Sequence, residues 1–206
     1  EFTAAVTQPV AAMTAVGKAK RGHFVTSAGG NPGDILVLTK TAGYEGTAIL
    51  AADFAAELKP CLGLAQLQRA QAFIERVSIV PEAKIAANMA TAMHDVTESG
   101  VLGAAFELAH ASGCGLELWA DEIPVAPETA TICRFMDLDP LGLIGSGSLL
   151  IATSQPDQLI AALAAAAIPA AAIGELLSAG KGQWLKEKGQ RLPLVVPPQD
   201  ELYKVL

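Results

Sequence analysis

The chain has 206 residues, 51% of them apolar, and a formal net charge of −7. That balance disfavours nucleic acid, whose binders present basic faces to phosphate, and an aromatic content of 5% leaves little for stacking on bases. Mean hydropathy is high at +0.39, but alanine supplies much of it. No apolar run reaches the roughly 18 residues of a membrane span; the longest, Leu159 to Ile168, stops at Pro169.

The length accommodates one large domain, or one domain with the remnant of another. Glu1-Phe2-Thr3 lacks the basic-then-apolar order of a secretion signal. Cys61, Cys114 and Cys133 are far apart and form no Cys-x-x-Cys pair. They read as reduced, mostly buried thiols of a cytoplasmic protein.

In chain order, Thr3 to Val16 reads as extended, and Phe24 to Thr26 as a short strand before the turn-rich Ala28 to Asp34. Ile35 to Lys40 is a continuous apolar run of the kind buried on both faces of a sheet. A glycine-bearing loop, Thr41 to Thr47, leads from it to a helix predicted over Ala48 to Leu58. In this strand–loop–helix unit Thr39, Lys40, Thr41 and the loop amides are candidates for holding a phosphate, while Lys40 also reads as a solvated strand end. Helical spacing returns over Leu64 to Val77, and Pro81 with Glu82 opens another short helix.

The most polar turn follows. Ala90 to Met93 leads in as a buried strand, then His94, Asp95, Thr97, Glu98 and Ser99 crowd together before an apolar helical pattern from Val101 to Ala109. Such a geometry aims backbone N–H groups and the positive end of a helix dipole at an anion. Two readings stay open for its residues. Asp95 could hold Mg²⁺ beside phosphate oxygens, an ion that takes oxygen ligands and keeps several waters. Alternatively Asp95 or Thr97 caps the helix, worth about 1 kcal/mol. His94 reads as a hydrogen-bonded turn residue or a base.

Beyond it, Leu116 to Trp119 alternates as a strand, Pro127 to Met136 is predicted helical, and Gly145-Ser146-Gly147 leads into a strand at Ser148 to Ala152. Pro156 opens an alanine-rich helix, and Ala170 to Leu177 returns as a strand. In the tail, Leu194 to Val196 is a possible edge strand. Alternating strands and helices without tandem repeats give an α/β layered domain. Gly174 to Gly182 fails as a P-loop, having one residue too many between its glycines and glycine where a hydroxyl residue should follow Lys181. The histidines show no metal-ligand spacing.

Several segments in one order carry a family resemblance: Thr3 to Val6, Pro32-Gly33-Asp34-Ile35-Leu36-Val37, Met93 to Gly100, Asp121-Glu122-Ile123-Pro124-Val125, and Leu138-Asp139-Pro140-Leu141 with Gly145 to Leu150. Together they resemble the C-terminal half of the AIR synthase-related, PurM-like superfamily, in particular its HypE-like hydrogenase-maturation branch. The resemblance implies an α/β/α layering with a ferredoxin-like strand–helix arrangement over residues 17–206. Residues 1–16 would be a strand and linker remaining from an N-terminal ATP-binding domain.

It further implies a dimeric, ATP- and Mg²⁺-dependent enzyme that activates an amide-type oxygen or phosphorylates a small substrate. Its partners would be its own N-terminal domain, a second copy and a maturation protein. Asp95, Thr97 and His94 would face the cleft as catalytic residues, Asp95 also touching the metal. Thr39, Lys40, Thr41, Gly43 and Gly46, with Gly145, Ser146 and Gly147, would lie beside the phosphates. Two departures stand out. HypE-like members carry Asp-x-Thr-Arg-Gly-Gly where this chain has Asp95-Val96-Thr97-Glu98-Ser99-Gly100, which replaces a phosphate-neutralising arginine by a carboxylate. Their tail ends in a carbamoyl-accepting cysteine, whereas this one reads Leu202-Tyr203-Lys204-Val205-Leu206, so dehydration of a carbamoyl group on its own tail is not expected. The alternative is a non-catalytic binding or assembly domain that keeps the fold.

Overall fold

The computed structural model describes residues 13–20, 22 and 24–206. The strand expected within residues 1–16 lies outside them up to residue 12. Seven strands among the described residues form one sheet in the order β2-β4-β1-β5-β3-β6-β7. They are β1 (Ile35–Thr39), β2 (Ala92–Asp95), β3 (Gly115–Trp119), β4 (Leu149–Thr153), β5 (Ala170–Leu177), β6 (Gln183–Glu187) and β7 (Gln190–Pro193). Among the described residues six α-helices accompany them: α1 (Tyr44–Asp53), α2 (Ala55–Gln71), α3 (Val80–Ala86), α4 (Gly100–Ala111), α5 (Pro127–Met136) and α6 (Pro156–Ala165). Among the described residues no helix is long and apolar enough to cross a membrane.

The apolar run of β1 puts it at the centre, antiparallel to both β4 and β5. Taken alone, β5-β1-β4-β2 is the interleaved order of a ferredoxin-like double β-α-β unit. One crossover passes from β1 through α1, α2 and α3 to β2, the other from β4 through α6 to β5. The pair α4–β3 is inserted between them, and β3 extends the sheet beside β5. Alternation along the strands then builds the layers. Leu36, Leu38, Leu150 and Ala152 face α4, while Val37, Leu149 and Ile151 face Leu159 and Leu163 of α6 and Ala86 of α3. The expected α/β/α sandwich is present. A separate core of α1, α2 and α5 is built on Leu50, Leu58, Ile132 and Leu143, and Leu202 of the tail plugs into it.

Four expected elements differ. Helix starts at Tyr44 rather than Ala48, and α2 runs through the predicted gap with a kink at Gly63, whose φ of 70° and ψ of 164° are not helical. Phe24 to Thr26 forms no strand; it meets β2 through a bond from Met93 N–H to Thr26 O at 3.2 Å. No strand forms at Leu194 to Val196 either, and the tail instead makes the β6–β7 hairpin. The hairpin is polar: every residue of β7 is exposed, and the Arg191 guanidinium lies 4.6 Å from the Trp184 ring centre. Lys188 and Gly189, with φ of 48° and 78°, form its two-residue turn, in which both residues need positive φ. Lysine is an uncommon choice there, and its N–H donates to Asp121 Oδ2 at 2.8 Å.

Candidate functional site

The strand directions bring the C-terminal ends of β1, β2 and β3 and the N-terminal ends of β4 and β5 to one end of the sheet. Three loops named from the sequence meet there: Thr39 to Thr47, Val96 to Gly100, and Gly145 to Ser148. They are laced by hydrogen bonds. Leu149 N–H donates to Thr39 Oγ1 at 2.9 Å, and Ser148 Oγ to Thr41 O at 2.8 Å. Val96 N–H donates to Ser148 O at 3.1 Å, Gly145 N–H to Thr97 O at 3.3 Å, and Gly46 N–H to Ile144 O at 2.9 Å. Gly43 occupies the N-cap of α1. A Cβ on Gly46 would fall 2.5 Å from Leu143 Cγ, and one on Gly145 2.7 Å from Val96 Cγ1. Both glycines therefore serve close approach of the loops.

Lys40 is the charged member of this set and is folded inward. It holds a left-handed φ of 55°, uncommon for a residue with a side chain. Its Nζ donates to Gly147 O at 2.5 Å and to Ser78 O at 3.1 Å, and it pairs with Glu82 Oε1 at 2.5 Å. An ammonium has three donors, so all three are engaged. A phosphate at Lys40 would have to replace one of these oxygens. Glu82, read from the sequence merely as a first-turn helix residue, is 1% exposed.

At the polar turn, α4 starts after Ser99, whose φ is 62°, and no side chain of that turn caps it. Asp95 is largely exposed, at 62%, and Thr97 acts through its carbonyl, which accepts from Gly100 N–H at 3.1 Å. The capping expected of Asp95 or Thr97 is thus absent. The carboxylate of Asp200 instead binds this turn, accepting from Ser99 N–H at 2.7 Å, while it caps the tail's helical turn by accepting from Leu202 N–H at 2.8 Å. The anion that this strand–turn–helix geometry attracts is supplied by the chain's own tail. Glu201 beside it accepts from Asp139 N–H at 3.0 Å and from Lys204 at 2.7 Å, and that hydrogen bond raises the lysine pKa.

His94 leaves β2 with Nε2 3.0 Å from Glu107 Oε2 of α4 and Nδ1 2.7 Å from Asp95 O. Both ring nitrogens face oxygens, so the ring is clamped between strand and helix. Among the described residues, no group of three or more His, Cys, Asp or Glu side chains is disposed to hold a metal ion. Sequence reasoning missed Glu82 and Asp200. A helix-opening Pro-Glu and a tail Asp-Glu are ordinary signals, and their partners are remote in the chain.

The family described as AIR synthase related protein, C-terminal domain, matches residues 31–201. Carbamoyl dehydratase HypE of Cupriavidus necator is 28% identical over 172 residues, covering 82% of this chain and 47% of the relative. The Escherichia coli protein of the same name is 31% identical over 154 residues, covering 70% and 42%. The crystal structure of E. coli HypE, a hydrogenase maturation protein, superimposes with a TM-score of 0.71 at 27% identity, over 86% of this chain and 54% of that one. At 19% identity, HypE in complex with ATP and a HypE–HypF complex share the fold, each with a TM-score of 0.63, over 86% and 84% of this chain and 55% and 56% of theirs. The chain spans about half the length of the relatives it matches.

Proposed function

The chain belongs to the AIR synthase-related C-terminal-domain family, and from that membership we propose that it is the cleft-closing half of a HypE-like, ATP-dependent enzyme. An N-terminal half would grip most of the nucleotide and, with a second copy, form the dimer. Bound ATP would supply the phosphoryl group that activates an amide-type oxygen or passes to a small substrate. The observation that carries this reading is the meeting of three loops at one end of the sheet, with Thr41 and Ser146 among them and Asp95 at the adjoining end of β2.

The residues fit such a nucleotide in part. Thr39 Oγ1 is taken by Leu149 N–H and Lys40 is fully engaged. The hydroxyls of Thr41 and Ser146 and the backbone of Gly43 and of Gly145 to Gly147 are what this half would offer to phosphate oxygens. The Thr41 hydroxyl is buried without a partner. For Mg²⁺, Asp95 would be one exposed oxygen ligand whose companions come from the other half, since no cluster of three forms among the described residues. His94, held by Glu107, would orient beside Asp95 and could move a proton at Nε2 by exchanging that partner. A maturation protein would dock on the assembled enzyme.

A second reading, a non-catalytic assembly domain, has its own support. Glu98 adds negative charge to the polar turn, and Asp200 already fills the amide site at the start of α4. One experiment separates the two: Asp95→Ala in the full-length protein, followed by ATP turnover and melting temperature. The enzyme reading expects turnover to fall at least about tenfold, as for loss of a metal-site group, with melting unchanged because the side chain is exposed. Turnover equal to that of the parent protein would overturn it. This chain by itself should not turn over ATP.

A further inference from the structure

Between α1, the one-turn helix Ala72–Arg76, the start of α3 and the end of α6 lies a pocket of about 490 Å³, within the range of small-molecule sites. Its wall includes Tyr44 and Phe73, stacked with ring centres 4.4 Å apart and 7° between planes. Two buried side-chain oxygens among the described residues have no hydrogen-bond partner, Thr41 Oγ1 and Glu82 Oε2, and both residues line this pocket. Leaving such atoms unpaired costs stability, so a ligand that pairs them recovers it. Two further lining residues, Lys40 and Ala167, hold left-handed φ of 55° and 58°. Strain of this kind collects at binding sites.

The chemistry of the occupant follows from what each group lacks. Glu82 Oε2 is an acceptor, and Lys40 already neutralises that carboxylate, so a neutral N–H donor suits it better than a second cation. The Thr41 hydroxyl accepts as well as donates, and can therefore serve this pocket while keeping its proton for an anion on the loop side. Arg76 lines the pocket, is exposed, and has no ion-pair partner among the described residues. We propose that the pocket binds a small, flat aromatic acid bearing an N–H donor, with the ring against the Tyr44–Phe73 wall, the donor at Glu82 and Thr41, and the anionic group at Arg76. Burial raises the Tyr44 phenol pKa, which keeps that wall neutral. In the enzyme read above, this would be a site for the small substrate or an effector beside the nucleotide loops.

The test is an NMR titration of the chain with 4-aminobenzoate, against benzoate, which lacks the donor, and aniline, which lacks the anion. Saturable shifts at Tyr44 and Phe73 are expected for 4-aminobenzoate, with both controls weaker by about tenfold, the value of one well-made hydrogen bond or ion contact. Thr41→Val and Arg76→Ala should each weaken 4-aminobenzoate at least about fivefold without lowering the melting temperature. Any one of three results overturns the proposal: no saturation, equal affinity for the three probes, or unchanged affinity in either variant. The probe carries no phosphate, so its binding is read separately from nucleotide turnover by the full-length protein, and either proposal can fail without the other.

Discussion

Two buried carboxylates on opposite faces of the sheet, Asp200 and Glu82, are 2% and 1% exposed and do different things. Asp200 spends both oxygens on backbone N–H groups, one at the start of α4 and one at the start of the tail's helical turn. Glu82 spends one oxygen on Lys40 and leaves the other unpaired beside a pocket. The first is a closed lock, joining the tail to the polar turn. The second is half of a recognition device. Burial alone does not distinguish a structural carboxylate from a binding one; the distinction lies in how many of its lone pairs the fold itself satisfies.

The largest expected effect breaks the Glu82 side. Lys40→Met leaves an uncompensated buried charge and should cost about 3–5 kcal/mol in urea unfolding. The double variant Lys40→Met, Glu82→Leu should recover most of that loss, because two apolar residues replace the pair. A cost for Lys40→Met below about 1 kcal/mol would mean that the pair is not the strut described here. Next, Asp200→Ala should cost about 1–3 kcal/mol, from two lost charge-assisted bonds, one of them the cap of the tail's helical turn. Asp200→Asn should cost less, and amide exchange at Ser99 should accelerate in both.

A pair of threonines sharpens the contrast between spent and unspent oxygens. Thr39→Val strands the buried Leu149 N–H and should cost about 1–3 kcal/mol. Thr41→Val removes a buried unpaired hydroxyl and should raise stability, by about 1 kcal/mol. A pH-dependent effect, confined to alkaline solution, reads the tail lock through Cys133. Burial first, then Asp139 and Glu201, push its thiol from 9.0 up to about 12. The unfolded chain therefore releases that proton at lower pH than the folded one, so stability should fall as pH rises from about 9 to about 12. Melting curves of Cys133→Ala should be flatter across that window.

Much of the sheet was readable before any coordinates. The run at β1, the Pro156-to-Pro169 helix between β4 and β5, and the strand–turn–helix at Asp95 carry local signals of period, cap and breaker. The hairpin β6–β7 was not readable, since an exposed edge held by Arg191 over Trp184 has no apolar alternation to reveal it. The loops of the candidate site were found individually, each by glycine and hydroxyl content. Their lacing was not, because Thr39 reaches Leu149 across 110 positions and Ser99 reaches Asp200 across 101.

By itself, then, the sequence determined the layered α/β architecture, the three polar loops and the family. These rest on short-range periodicity and on residue types in a fixed order. Tertiary structure alone decided which charge meets which: that Lys40 turns inward to Glu82, that the tail's Asp200 reaches the Ser99 amide ahead of α4, and that Thr41 and Glu82 are left unpaired in one pocket. Hydrogen bonding and desolvation depend on distances between groups, and a linear order of residues does not contain them until the chain has folded.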